Sequence, residues 1–142
     1  MKYLFGLAIL VFSFNISAQC RSFNKENCKD LLGKYVPTGE NNSVKLSPGD
    51  RYQFISTFYE GQSYRIATCA DTSLGNIQFT IRNSKRHLYY DNNGNDIRSF
   101  DFKVAATQQL IVSVIIPEKI NQTSSSKKDI EGCVSALIGF KL

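Results

Sequence analysis

The feature that most constrains the fold is residues 110–117, whose sequence is LIVSVIIP. The run is apolar at every position before the closing Pro117 except Ser113, and most of its side chains are β-branched. Such a pattern is typical of a β-strand that is covered on both faces, rather than one that lies on a surface. We therefore predict that this segment is the central strand of a β domain.

The remaining sequence supplies shorter strands. The clearest alternation predicts that Ile77, Phe79 and Ile81 face a core while the polar residues between them face water. The other predicted strands are 44–46, 52–59, 63–69, 88–90, 100–104 and 133–140. The pattern predicts an all-β fold, an antiparallel β-sandwich or jelly roll of seven to eight strands with a short N-terminal helix. The short join at residues 60–62 predicts that strands 52–59 and 63–69 form a hairpin.

The N-terminus has the layout of a secretory signal peptide. Lys2 precedes an apolar run at residues 3–14, and Ala18 supplies the small residue before the predicted cut. The run is too short for a comfortable membrane span, so we predict no transmembrane segment and a secreted or periplasmic protein. Residues 19–43 are predicted to be a helix that ends at Gly33 and a linker, and residues 44–142 the β-sandwich domain.

All four cysteines lie in the predicted exported part, at Cys20, Cys28, Cys69 and Cys133. An even number in an oxidising compartment predicts two disulfides, and we favour Cys20 with Cys28 and Cys69 with Cys133 among three possible pairings. A lipid on Cys20 is the alternative, which would make the chain an anchored envelope structural protein, although Gln19 fits lipoprotein processing poorly. The absence of a Cys-x-x-Cys pair and the single histidine, His87, disfavour a zinc site.

The charge of the chain is mildly basic. Loss of Lys2 with the signal peptide leaves 16 basic and 12 acidic side chains, and the basic ones are scattered along the sequence. Scattered charge is typical of a solvated surface and not of a nucleic-acid interface. We therefore predict no nucleic-acid partner.

One loop has the composition of a cation site. Side-chain oxygens of Asp91, Asn93, Asn95 and Asp96 surround Gly94, and calcium binds six to eight such oxygens. The same residues also suit a tight turn, because Asn, Asp and Gly tolerate positive φ. We predict no obligatory cofactor, and calcium is the metal that this loop would hold.

The order of several segments resembles the pre-peptidase C-terminal domains, which are small secreted bacterial jelly-roll modules appended to exported enzymes. The segments are 46–54 (LSPGDRYQF), 61–66 (GQSYRI), 77–81, 91–96, 110–114 and 132–140, so the resemblance covers about residues 44 to 141. It implies a non-catalytic fold used for binding or stabilisation. Residues 74–77 (LGNI) replace the acidic residues that precede the strand in that family, so its calcium and collagen contacts are not transferred to this chain.

No motif announces catalysis, since His87 is the only imidazole and no Gly-x-Ser-x-Gly surrounds a serine. Neighbouring strand residues point to opposite faces, so one of Tyr89 and Tyr90 is predicted to be exposed and able to stack on a sugar or anchor a protein. The sequence thus predicts a non-catalytic recognition or accessory module for an extracellular or envelope protein or glycan. The long loop at residues 118–131 is a second candidate contact region, and a secreted hydrolase remains the alternative function.

Overall fold

The structure is a computed structural model that describes residues 18–23, 27–40, 42–118 and 130–142. These residues form an all-β sandwich of two antiparallel sheets, preceded by one short helix, α1 (Ala18–Phe23). The strands are β1 (Val36–Pro37), β2 (Asn42–Leu46), β3 (Arg51–Phe58), β4 (Ser63–Ala70), β5 (Gln78–Asn83), β6 (Leu88–Asp91), β7 (Ser99–Lys103), β8 (Gln108–Ile115) and β9 (Gly132–Phe140). Two short 3₁₀ helices cover Lys29–Leu32 and Thr72–Leu74. Within these ranges, no helix has the length and apolar character needed to cross a membrane.

The two sheets are named here after their central strands. The β8 sheet has the order β3-β8-β5-β6, and the β9 sheet has β9 between β4 and an edge made by β1 and β2, with β7 beyond β4. The predicted central strand is confirmed, because β8 pairs with β3 along its whole length and with β5 over six residues. Its two faces differ, however. Val112 and Val114 are fully buried between the sheets, whereas Ile111 and Ile115 face outward and are only half-buried.

The strands predicted from the sequence agree with the structure to within about two residues at most ends. The strand that was missed is β1, which lies in the segment predicted to be helix and linker. Its two residues pair with Phe140 and Gly139 of β9, so the β9 sheet begins before residue 44. Gly139 permits this approach, since a Cβ there would lie only 2.8 Å from the Cβ of Tyr35.

The predicted hairpin between β3 and β4 is wrong, because β3 belongs to the β8 sheet and β4 to the β9 sheet. The join at residues 59–62 therefore crosses the sandwich. Phe58 packs edge-on against Tyr64 with ring centroids 4.9 Å apart, and against Phe102 at 5.3 Å. Burial of these rings between the sheets replaces the local backbone pairing that a hairpin would have made.

The core lies between the two sheets. Ile77, Phe79 and Ile81 are buried in it, as their alternation predicts, and Phe79 is fully inaccessible. On the other side of the core, Val134 and Ile138 of β9 contribute the facing layer. The period-two pattern therefore assigned the inner faces of β5 and β9 correctly.

The cysteines form two disulfides, but the favoured pairing is wrong. The bridges are Cys20–Cys133 and Cys28–Cys69, which span 113 and 41 residues of sequence. Cys69 lies opposite Ser135 in the ladder, so Cys133 is two residues away on the neighbouring strand. Such diagonal neighbours are about 7 Å apart, which exceeds the usual reach of a disulfide. Each strand cysteine instead bonds to one in the N-terminal segment.

The bridge at Cys20 bears on the lipid-anchor alternative. A lipoprotein carries its lipid on the sulfur of the anchoring cysteine, and a sulfur in a disulfide is no longer free to do so. The Cys20–Cys133 bond therefore disfavours an anchor at this residue. The predicted signal residues 1–17 lie outside the described part of the chain.

The N-terminal segment, defined as residues 18–23 and 27–35, covers the outward face of the β9 sheet. Cys28 and Leu32 pack against Ala67, Cys69 and Leu137 in a second apolar cluster, separate from the main core. The segment is thus the structural role that the predicted N-terminal helix fulfils, although its helical turns are short and its last turn ends at Gly33 as predicted.

An arginine clamps this segment to the sheet. The Arg65 guanidinium donates two hydrogen bonds to the Asp101 carboxylate, at 2.6 and 2.8 Å, and a third, at 3.3 Å, to the carbonyl oxygen of Leu31. It also lies 4.7 Å from the centre of the Tyr35 ring. The hydrogen bond from Arg65 holds the pKa of Asp101 below its ordinary value, against the opposing effect of burial.

Candidate functional site

The outward face of the β8 sheet contains a depression of about 550 Å³, which we call the arginine groove. It runs over β3, β8 and β5, the three strands that make up most of this sheet. Its lining combines basic, aliphatic and hydroxyl side chains from Arg51, Gln53, Phe54, Ile55, Thr80, Arg82, Arg86, Ile111, Ser113 and Ile115.

Strand register places the lining residues in three rows across the sheet. In the first row Arg51 lies opposite Ile115, and in the third Ile55 lies opposite Ile111, which lies opposite Arg82. The middle row carries Gln53, Ser113 and Thr80. Because outward residues on a strand alternate with inward ones, these rows share the solvent side of the sheet. The small middle row forms the floor, and arginines stand at diagonal corners.

The floor of the groove is well packed although it faces outward. Thr80 and Ser113 are only 3% and 4% exposed, and neither hydroxyl makes a side-chain hydrogen bond to another residue in the described part of the chain. Ile55 at the rim is 62% exposed. An occupant of the groove would therefore meet hydroxyl groups with free hydrogen-bonding capacity beside aliphatic surface that it could cover.

The groove is electrostatically positive. Within the described ranges, none of its three arginines forms an ion pair with a carboxylate, and one guanidinium nitrogen of Arg82 donates to the carbonyl oxygen of Arg86 at 3.4 Å. The acidic residue nearest in register is Asp91, opposite Thr80. Its carboxylate accepts hydrogen bonds from the Gln78 amide at 3.0 and 3.1 Å. The arginines thus remain available for an anionic group of a partner.

The prediction that one of the two adjacent tyrosines is exposed is confirmed. Tyr89 is 52% exposed, and its hydroxyl donates to the side-chain oxygen of Gln108 at 3.4 Å. Tyr90 instead stacks on Phe100, with ring centroids 4.1 Å apart, and contacts Phe79 at 5.1 Å. Burial, and then the nearby Asp91, raise the pKa of Tyr90 above its ordinary value. Tyr90 is therefore a core residue, and Tyr89 alone keeps a surface for contact.

The predicted cation loop is built around a buried asparagine. Asn92 is 3% exposed, and its side-chain oxygen accepts from the backbone N–H of Phe79 at 3.0 Å and of Gly94 at 3.1 Å. Its amide nitrogen donates to the carbonyl oxygens of Ile77 and Ile97. These bonds attach the loop to β5 and give it the turn structure that its composition also allowed.

The four proposed calcium ligands are not all free in this loop. Asp91 accepts from the backbone N–H of Asn93 at 2.8 Å, and Asp96 pairs with Arg98 at 3.0 Å. Asn93 and Asn95 are exposed. The described residues contain no group of three or more acidic, histidine or cysteine side chains arranged to hold a metal. Calcium binding by this loop stays a prediction.

A second depression, of about 600 Å³, lies beside the other edge of β3. Tyr59, which is 62% exposed, lines it together with Ile55, so the two depressions share one rim residue. Glu40 closes part of it, because its carboxylate accepts a hydrogen bond from the Ser56 hydroxyl at 2.9 Å. The exposed apolar surface of the sandwich is therefore concentrated around β3.

The groove residues were missed in the sequence reading because attention went to tyrosines and loops. The available signal was the continuous apolar run of β8, whose outward members exceed what the core requires. Ile111 and Ile115 come from that run, and Arg51 and Arg82 lie on the two strands beside it. Of the long loop predicted as a contact region, residues 119–129 lie outside the described part of the chain.

Comparison with known proteins gives a likeness of fold only. No protein-family model matches the sequence, and neither does any curated protein. Among solved structures, the Aeromonas hydrophila PliG, a periplasmic lysozyme inhibitor of g-type lysozyme, aligns with a TM-score of 0.50 at 10% identity, over 77% of this chain and 89% of that one. The Salmonella Typhimurium PliG aligns at 0.41 and 14% identity, over 71% and 89% of the two chains. A de novo designed double-stranded β-helix aligns at 0.35 and 13%, over 72% and 99%. The first of these likenesses shows that the two chains share the sandwich fold.

Proposed function

We propose that this chain is an exported, non-catalytic recognition module that binds a macromolecular partner through the arginine groove. The observation that carries the proposal is the outward face of β8, where Ile111 and Ile115 lie half-buried in a depression with unpaired arginines at its corners. Contiguous apolar surface next to unpaired charge is characteristic of interaction sites and contributes little to the stability of the isolated domain.

Export is supported by two independent features. The N-terminus has the layout of a signal peptide, and all four cysteines are joined in disulfides, which persist in oxidising compartments such as the periplasm or the extracellular space. The partner is therefore sought among envelope and secreted macromolecules.

Absence of catalysis is supported by the chemistry of the groove and by the fold. Its lining has arginines, isoleucines and hydroxyls but, among the described residues, no carboxylate or histidine that could transfer a proton near neutral pH. The fold is that of a protein named as an enzyme inhibitor, although a fold by itself does not determine function. Contact without turnover is the role that this surface suits.

A narrower form of the proposal is that the partner is a secreted lysozyme-type glycoside hydrolase, which the chain would inhibit. The support is the shared sandwich of the Aeromonas hydrophila inhibitor. Such hydrolases carry carboxylates in their clefts, which are groups that arginines bind well. A lysis assay with g-type lysozyme on peptidoglycan, with and without the purified chain, tests this form directly.

The broader proposal is tested by capture with a matched pair of variants. The oxidised, exported protein is immobilised and exposed to envelope and secreted fractions of the producing organism, with bound protein and glycan both identified. Ile55→Asp places a charge at the groove rim, and Ile97→Asp places the same charge on a comparably exposed isoleucine in the β6–β7 loop.

We expect one saturable partner that Ile55→Asp loses by at least tenfold in affinity and Ile97→Asp retains. Circular dichroism of both variants checks that each is folded. Absence of any saturable partner, or equal losses in the two variants, would overturn the assignment of binding to the groove.

A further inference from the structure

The two arginine corners of the groove are widely separated. Arg51 lies opposite Ile115 and Arg82 lies opposite Ile111, four residues further along β8. From standard strand geometry, the backbone positions of the two arginines differ by about 13 Å along the strands and about 10 Å across them. A single small anion such as phosphate does not bridge that diagonal unless both side chains fold flat over the floor. The corners therefore suit two separate anionic groups.

The surface between the corners is aliphatic and hydroxylic. Ile111 and Ile115 are half-buried there, with Ser113 between them on the same strand face. The one aromatic ring in the lining, Phe54, packs beside Tyr52 with centroids 6.0 Å apart and belongs partly to the core. Sugars bind best against the flat faces of aromatic rings, whereas an aliphatic floor favours aliphatic side chains. The floor thus favours a protein segment over a glycan.

We infer that the groove binds an extended acidic segment of a partner protein. One carboxylate pairs with Arg51, a second pairs with Arg82, and an apolar side chain between them packs on Ile111. In an extended segment, residues i, i+2 and i+4 point to one side, and i and i+4 are about 13 Å apart. The inferred motif is therefore an acidic residue, an apolar residue two positions later and a second acidic residue two positions after that. This inference rests on the proposed function and names the chemistry of its partner.

The net charge of the chain is consistent with such a partner. The whole sequence is formally +5 at pH 7, so an acidic segment would also be attracted at long range. Long-range attraction does not depend on which cation is removed, whereas pairing at the corners does. A control that changes the same charge elsewhere separates the two effects.

The test uses synthetic peptides and three variants of the oxidised, exported protein. One peptide carries Glu at i and i+4 with Ile at i+2, and a second of identical composition carries the two Glu residues side by side. The variants are Arg51→Gln, Arg82→Gln and, as the control, Lys103→Gln, which removes an exposed cation from β7 in the opposite sheet. Affinities are measured by calorimetry at low and at physiological salt.

We expect the spaced peptide to bind at least fivefold more tightly than the side-by-side peptide. Arg51→Gln and Arg82→Gln should each weaken it about tenfold, and together about a hundredfold, because a charge-assisted pair contributes roughly one factor of ten or more and distant sites add. Lys103→Gln should change the affinity by less than twofold. A steeper salt dependence for the unmodified protein than for the double variant would accompany this result.

Several results would overturn the inference. They are equal binding of the two peptides, no binding of either, an equal loss in the Lys103→Gln variant, or tighter binding of an oligogalacturonate than of the spaced peptide. The last result would assign the groove to an acidic glycan. The proposed function is judged separately, because a partner that is lost with Ile55→Asp but kept by both arginine variants would preserve it while the acidic-segment inference fails.

Discussion

The outward faces of the two sheets are finished in different ways. On the β9 sheet, the N-terminal segment lies over Ala67, Cys69 and Leu137, so β9 is buried on both faces over most of its length. On the β8 sheet, the equivalent outward residues of β8 line the arginine groove and remain half-buried. Both central strands carry outward apolar residues, but the chain covers only one of these faces with its own described residues.

The difference separates structural surface from surface that is available for binding. The covered face is held by two disulfides and by the Arg65–Asp101 pair, and the arginine of that pair is engaged by a carboxylate, by carbonyl oxygens and by an aromatic ring. The arginines of the groove have no carboxylate partner among the described residues. An unpaired cation beside aliphatic surface is left where a partner can complete it.

The largest expected effect comes from releasing the cover of the β9 sheet. Replacement of Cys20 and Cys133 together by Ala opens a bridge that spans 113 residues. The chain-entropy model gives a loss of about 4–5 kcal/mol in the free energy of unfolding for a loop of that length. Guanidinium unfolding of the oxidised protein measures the loss, and hydrogen exchange should show faster exchange in β4 and β9 than in β8.

The matched control for this variant opens the other bridge, between Cys28 and Cys69, which spans 41 residues. It should cost slightly less, about 4 kcal/mol, because its loop is shorter. A loss below about 1 kcal/mol in both double variants would contradict the view that the bridges hold the cover in place.

A second prediction compares outward residues on the two central strands. Leu137→Ala on β9 should cost about 2–4 kcal/mol, because Leu137 is only 8% exposed beneath the N-terminal segment. Ile111→Ala on β8 should cost about 1 kcal/mol, because its side chain is half-buried in an open groove. Chemical unfolding measures both values.

Val112→Ala provides the internal control for this comparison. Val112 is fully buried on the inward face of the same strand as Ile111, and its truncation should cost about 2 kcal/mol. Equal losses for Leu137→Ala and Ile111→Ala would show that the two outward faces are equally important to stability, and the distinction between them would fail.

The smallest expected effect concerns the clamp on the N-terminal segment. The pKa of Asp101 is lowered in the folded protein, so its contribution to stability is complete above about pH 5 and is lost as the pH falls below about 4. Asp101→Asn should reduce the free energy of unfolding at pH 7 by about 0.5–1 kcal/mol, because the carboxylate is partly solvated. Unfolding from pH 7 to pH 3 should show the variant and the parent protein converging.

Asp96→Asn is the control for the pH experiment. Asp96 also pairs with an arginine, Arg98, but both side chains are more than half exposed. Such a pair contributes almost nothing measurable, so this variant should follow the parent curve throughout. If the Asp101→Asn and parent curves stay parallel down to pH 3, the Arg65–Asp101 pair is not the clamp described here.

Local pattern was sufficient to place most of the strands. The alternation of Ile77, Phe79 and Ile81 identified an inward face, and the neighbouring positions of Tyr89 and Tyr90 identified one exposed ring. Both predictions follow from the two-residue period of an extended chain, which operates over a few residues. The candidate site was not recognised, because its three rows are assembled from strands that are far apart in the sequence.

The sequence by itself determined the strands, the central position of residues 110–117 and the presence of paired cysteines, because hydrophobic period, turn residues and cysteine number are local or compositional properties. Only the tertiary structure decided which strands share a sheet, that β3 and β4 separate across the core, and that Cys20 bonds to Cys133. Sheet order also brought Arg51 and Arg82 to the corners of one groove. These outcomes depend on how distant segments share buried area, and that competition leaves no periodic signal in the sequence.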